Sequence, residues 1–111
     1  MIRLTLPQVV DAVGGLLMDA DQDLPQFVGV STDSRTIAPG NLFVALRGER
    51  HDGHQYLDAA REAGAVAVIV DHRCHSGLPE IVVEDTLVAL GRLARRWRDE
   101  VDPLVIAVTG S

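Results

Sequence analysis

Apolar residues along the chain alternate between helical and strand rhythms. Val9, Val10 and Val13 recur at the spacing of one helix face. Thr5-Leu6-Pro7-Gln8 ahead of them has capping-box spacing, and Gly14-Gly15 stops the run. An acidic stretch with Asp19, Asp21, Asp23 and Pro25 reads as loop or edge. Phe27 to Val30 reads as a strand and Asn41 to Leu46 as a stronger one, with the turn signal Pro39-Gly40 just before it. Tyr56, Leu57, Ala60 and Ala63 mark a helix closed by Gly64. Val66 to Val70 is continuously apolar, which suits a central strand covered on both faces. Glu80 to Val83 is a further strand. Asp85 caps a long helix through about Glu100, with Leu87, Leu90, Ala94 and Trp97 as its apolar stripe. Arg92, Arg95, Arg96 and Arg98 lie mostly off that stripe, as a solvated face or an interdomain contact. Pro103 then admits a last strand, Leu104 to Val108. Helices alternating with buried strands predict an α/β fold, a mixed, mostly parallel sheet flanked by helices.

Composition narrows the classes. The 111 residues fit one domain, and 47% hydrophobic with only 4% aromatic content requires an aliphatic core. All ten basic side chains are arginine, and sixteen acidic groups leave a net charge of −6. That balance argues against nonspecific nucleic-acid binding, which needs a positive surface. It leaves room for one small phosphate-bearing ligand held by a local arginine or by backbone N–H groups. The longest apolar run, Ala65 to Val70, falls far short of the roughly 20 residues that span a bilayer. Nothing at the N-terminus resembles a signal peptide, and the single cysteine, Cys74, points to a reducing, cytoplasmic setting.

Two polar segments could carry chemistry. Thr32-Asp33-Ser34-Arg35 supplies hydroxyls, a carboxylate and a guanidinium within four residues. On spacing alone it reads as a capped turn with Arg35 paired to an acid. Gly48-Glu49-Arg50-His51-Asp52-Gly53 precedes a helix. Glycines on both sides, free helix-start N–H groups, Arg47 and Arg50 would suit an anion, while an ordinary solvated connection fits equally well. Phe43 lies inside an apolar strand and reads as core. His72-Arg73-Cys74-His75 crowds possible metal ligands, yet one cysteine cannot supply the paired elements of a structural zinc site, so no metal is expected. Thr109-Gly110-Ser111 follows a buried strand as a phosphate loop would. No lysine is present to complete such a loop, so these residues are not expected to hydrolyse ATP.

Taken together, Ser31-Thr32-Asp33-Ser34-Arg35, Pro39-Gly40-Asn41-Leu42-Phe43-Val44-Ala45-Leu46-Arg47-Gly48, Asp52-Gly53-His54 and Gly64-Ala65-Val66-Ala67 closely resemble the N-terminal domain of the Mur ligases. These are cytoplasmic ATP-dependent amide ligases of peptidoglycan biosynthesis. The match is to the MurE and MurF branch. The helix from Asp85 to Ala94 and the opening Leu4-Thr5-Leu6 resemble the side that adds D-alanyl-D-alanine to UDP-N-acetylmuramoyl-tripeptide. The resemblance implies that residues 1–103 bind the UDP end of the UDP-N-acetylmuramoyl-peptide. Residues 104–111 would then begin a central ATP-binding domain, with Thr109, Gly110 and Ser111 opening its loop. It implies contact with uridine by Thr32 and Ser34, with Asp33 and Arg35 contacting substrate or holding the turn. It also places Arg47, Gly48, Glu49, Arg50 and His51 at the nucleotide. ATP and Mg2+ would serve the larger enzyme through its other domains. Two alternatives stay open: the diamino-acid-adding MurE branch, and a non-catalytic domain that binds a protein partner.

Overall fold

The computed structural model describes residues 5–18, 27–48 and 52–100, with side chains through Arg96 in the last helix. The expected strand at Leu104 to Val108, the boundary at residue 103, Thr109-Gly110-Ser111 and the acidic stretch all lie outside them. So do Glu49, Arg50 and His51. The chain forms α1 (Leu6–Val13), β1 (Leu16–Met18), β2 (Val30–Ser31), β3 (Leu42–Val44), α2 (Leu57–Ala63), β4 (Ala67–Val70), β5 (Glu80–Val82) and α3 (Thr86–Glu100). A 3₁₀ turn over Gly53–Tyr56 leads into α2.

Local chemistry explains these boundaries. Thr5 Oγ1 accepts the Gln8 amide while Gln8 Oε1 accepts the Thr5 amide, the reciprocal cap expected at α1. A cap of this kind contributes about 1 kcal/mol. Asp85 Oδ1 accepts the amides of Leu87 and Val88 at the start of α3. Gly64 ends α2 with φ 108°, and a Cβ there would lie 2.7 Å from Pro39 Cα, so only glycine fits this helix against that turn.

The sheet order is β1-β5-β4-β3-β2. Strands β2 to β5 are parallel, and β1 is antiparallel to β5. The mixed, mostly parallel sheet is therefore present as expected. Alternate residues face opposite layers. Leu42, Val44, Ala67, Ile69 and Ile81 pack with Leu6, Val9 and Val13 of α1 and with Ala89 and Leu93 of α3. Phe43, Val68 and Val70 pack on the other face with Leu57 and Ala60 of α2. Phe43 is core, as its strand position indicated. All four residues of β4 are buried.

Two expectations are corrected. Leu16–Met18 forms an edge strand that has no period long enough to read from sequence. On α3 the buried positions are Thr86, Ala89 and Leu93, whereas Leu87 is 65% exposed and Ala94 is also exposed. The helix carries apolar residues on more than one face, and packing against α1 and the sheet selects the other one. Arg92 is not simply solvated: its Nη1 donates to the carbonyl of Val13 at 3.4 Å, linking α3 to the end of α1.

The β4–β5 connection has no helix and is held by one buried carboxylate. Glu80 is fully buried, with Oε1 and Oε2 accepting the Cys74 and Ser76 amides at 2.8 and 2.7 Å. These bonds flank His75, which sits in the left-handed region at φ 53°. Glu80→Ala should lower stability by about 2–4 kcal/mol in urea unfolding, because it strands amides that water reaches poorly. A loss below about 1 kcal/mol would mean the loop is held from elsewhere.

Candidate functional site

The parallel strands end on one edge of the sheet, where loops after β2, β3 and β4 meet, the usual crevice of open α/β sheets. After β2, the residues Ser31 to Thr36 build a tight turn around the carbonyl of Asp33. Ser31 Oγ donates to it at 2.9 Å, Thr36 Oγ1 at 3.2 Å and the Thr36 amide at 3.1 Å. Asp33 Oδ1 accepts the Arg35 amide at 2.9 Å and Nε at 3.1 Å, while Oδ2 accepts Nη2 at 2.8 Å. The carboxylate and guanidinium thus brace the turn as a local pair. The Arg35 bond is the main reason the Asp33 pKa falls to about 2. The pair raises Arg35 in return, and the Tyr56 phenol adds a smaller push.

Ser31 and Thr36 spend their hydroxyls on backbone. Those of Thr32 and Ser34 make no side-chain hydrogen bond among the described residues and line a cleft of about 400 Å³. Its other walls are Asp33, Arg35, Phe43, Leu46, Gly53 and Tyr56. The volume falls within the range of small-molecule sites. Gly53 is required for packing: a Cβ there would come within 2.8 Å of the Leu46 amide nitrogen, and its own amide donates to the Leu46 carbonyl.

Arg47 is placed differently from the cleft residues. Its guanidinium bonds Asp71 through Nε and, at 3.0 Å, through Nη2, and reaches Asp52 through Nη1 at 2.9 Å. His54 closes the ring. Its Nδ1 lies 2.6 Å from Asp52 Oδ1, and its Nε2 accepts the Asp71 amide at 3.0 Å. Nε2 also lies 3.1 Å from Asp71 Oδ1, so both ring nitrogens are held between the two aspartates. The Arg47–Asp71–His54–Asp52 ring ties the ends of β3 and β4 to the 3₁₀ turn. Hydrogen bonds from Arg47 hold Asp71 far below the usual carboxylate range. Burial pushes Asp52 up, but the His54 amide and ring and the Arg47 charge outweigh it and leave Asp52 lowered.

This arrangement corrects the picture of open helix-start amides waiting for an anion. Asp52 Oδ1 takes the His54 amide at 2.9 Å, and the Asp52 carbonyl takes that of Gln55 at 3.0 Å. Gly48 is exposed at the rim of the loop. Tyr56 is the cleft residue that sequence reasoning missed. Counted there as a mark of the following helix, it ends the 3₁₀ turn ahead of α2 and lines the cleft.

The residues nearest to a metal-ligand cluster have partners within the protein. Ligand atoms of His54, His72 and Cys74 lie within 4.8 Å of one another. Both His54 nitrogens are already engaged, and Cys74 Sγ bonds the His72 carbonyl at 3.1 Å. Burial, then the charges of Glu80, Asp71 and Asp52, push the Cys74 thiol up. No described helix is long and apolar enough to cross a membrane.

Comparison with known proteins bears on the family. The family described as "Mur ligase family, catalytic domain" matches residues 26–98. All 111 residues align at 44% identity with the UDP-N-acetylmuramoyl-tripeptide--D-alanyl-D-alanine ligase of Escherichia coli (strain K12), covering 24% of that protein. The UDP-N-acetylmuramoyl-L-alanyl-D-glutamate--2,6-diaminopimelate ligase of Aquifex aeolicus (strain VF5) is 38% identical over 86% of this chain and 20% of its own length. The crystal structure of MurF from Acinetobacter baumannii superposes with a TM-score of 0.83 at 29% identity, over 90% of this chain and 22% of that one. The chain thus spans about a quarter of the length of the curated relatives it matches.

The Asp33–Arg35 pair has a direct test. A depressed folded pKa means its contribution is complete above the ordinary value of 3.8 and is lost as pH falls through about 2. An NMR titration of the Asp33 carboxyl should show that low midpoint, and Arg35→Ala should return it toward 3.8. A midpoint unchanged by the substitution would show that the pair does not form in solution.

Proposed function

Because the chain belongs to the Mur ligase family, we propose that its cleft receives the uridine end of a UDP-N-acetylmuramoyl-tripeptide, within a cytoplasmic ligase that adds D-alanyl-D-alanine to that substrate. The observation that carries the reading is the pair of cleft hydroxyls, Thr32 and Ser34, that make no side-chain hydrogen bond among the described residues, beside a turn whose Ser31 and Thr36 hydroxyls and Asp33 carboxylate are engaged. Either hydroxyl can donate to or accept from the edge of a uracil or a ribose. Asp33 and Arg35 keep the turn in shape and line the same wall. Arg47 serves as a clamp on the neighbouring loop stem, since two carboxylates already take its guanidinium. By family resemblance Gly48, Glu49, Arg50 and His51 extend the nucleotide site.

These residues do not fit ATP. They include no lysine to meet terminal phosphates, so no step of phosphoryl transfer is assigned to them. ATP and Mg2+ act in the larger enzyme, where Thr109-Gly110-Ser111 would open the loop, and the 111 residues alone are inactive. Their contribution is remote binding energy, which holds a long substrate so that its distant carboxylate is positioned to react. The Aquifex relative supports a second reading, the diamino-acid-adding ligase, whose substrate presents the same uridine end.

In the intact ligase, Ser34→Ala should raise KM for the UDP-sugar substrate about three- to tenfold, the cost of one neutral hydrogen bond, and leave KM for ATP within about twofold. Equal shifts in both constants would remove Ser34 from the uridine site.

A further inference from the structure

We propose that the ring of Tyr56 is the face on which the uracil base packs, so that this cleft grips the uncharged base and not the pyrophosphate. The inference rests on the uridine reading above and goes beyond it by naming the group that supplies the grip. Charge is the starting point. The chain carries −6, and the one guanidinium among the described residues of the cleft wall, Arg35, is paired with Asp33 through three bonds. The described residues of this wall therefore offer an anion little positive potential. A neutral flat base needs none, because stacking on an aromatic face requires only the face.

Tyr56 offers such a face. The two described phenylalanines, Phe27 and Phe43, are no more than 1% exposed, whereas Tyr56 is 37% exposed and lines the cleft with Thr32 and Ser34. The backbone that carries it is fixed from both sides. Asp52 caps the start of its turn, His54 is locked between Asp52 and Asp71, and the next residue, Leu57, is buried in the core. A backbone held in place before the ligand arrives leaves only the torsions of the ring itself to be ordered on binding. Hydroxyls along one wall to read the base edge and an aromatic face to pack it form a nucleobase pocket.

Kinetics and saturation-transfer NMR on the intact ligase test this, with UDP as the NMR probe. Tyr56→Ala should raise KM for the UDP-sugar about tenfold, with kcat and the KM for ATP little changed, and Tyr56→Phe, which keeps the face, should recover most of that loss. In the parent enzyme, uracil H5 and H6 should receive the strongest saturation, and Tyr56→Ala should remove it. The inference is overturned if Tyr56→Phe is as damaging as Tyr56→Ala, or if the ribose protons receive the strongest saturation. A silent Tyr56→Ala alongside an impaired Ser34→Ala overturns this inference alone. Silence in both variants overturns the uridine reading with it.

Discussion

Parallel strands joined by crossovers have to be covered on both faces, and that requirement organises this chain. Strands β3 and β4 sit inside the sheet with every residue buried, so apolar side chains must be met by helices above and below. Helices α1 and α3 supply one layer and α2 the other. The interior then has almost no place for polar groups. Glu80 is an exception, and it is accommodated because two backbone amides meet its carboxylate. The remaining chemistry is displaced to the edge where the parallel strands end.

At that edge, charges are spent on architecture first. Arg35 is consumed by Asp33, and Arg47 by Asp71 and Asp52, with His54 completing the ring. These pairs are partly exposed, so their worth lies in fixing loop geometry more than in stability. Beside the Asp33–Arg35 pair, the described lining of the cleft is neutral: two hydroxyls, an aromatic ring and apolar side chains. On the proposed reading, an acidic domain would in this way hold part of an anionic nucleotide without relying on its overall field.

The legible parts of the fold were those governed by neighbours in sequence. The Thr5–Gln8 cap, the Asp85 cap and the Gly64 stop each involve residues within four positions. Each is therefore readable before any tertiary contact is known. The unbroken run at Val66 to Val70 announced a strand covered on both sides. Strand β1 was not legible, because three residues on an edge owe their conformation to pairing with β5. The stripe on α3 was misread for a related reason: Leu87–Leu90 and Ala89–Leu93 satisfy the same helical spacing, and only docking distinguishes them. At the site, Thr32 to Arg35 stood out by its polar density, whereas Tyr56 looked like one more apolar mark.

The order of elements, the α/β class, the Asp33–Arg35 turn and the family resemblance came from the linear chain, since each depends on short-range periodicity or contiguous motifs. Tertiary structure decided which hydroxyls were spent and which stayed open, and whether Arg47 faced a ligand or two carboxylates. It also turned Tyr56 into the cleft. Those outcomes depend on groups up to 24 positions apart, such as Arg47 and Asp71, that meet only once β3 and β4 are paired side by side.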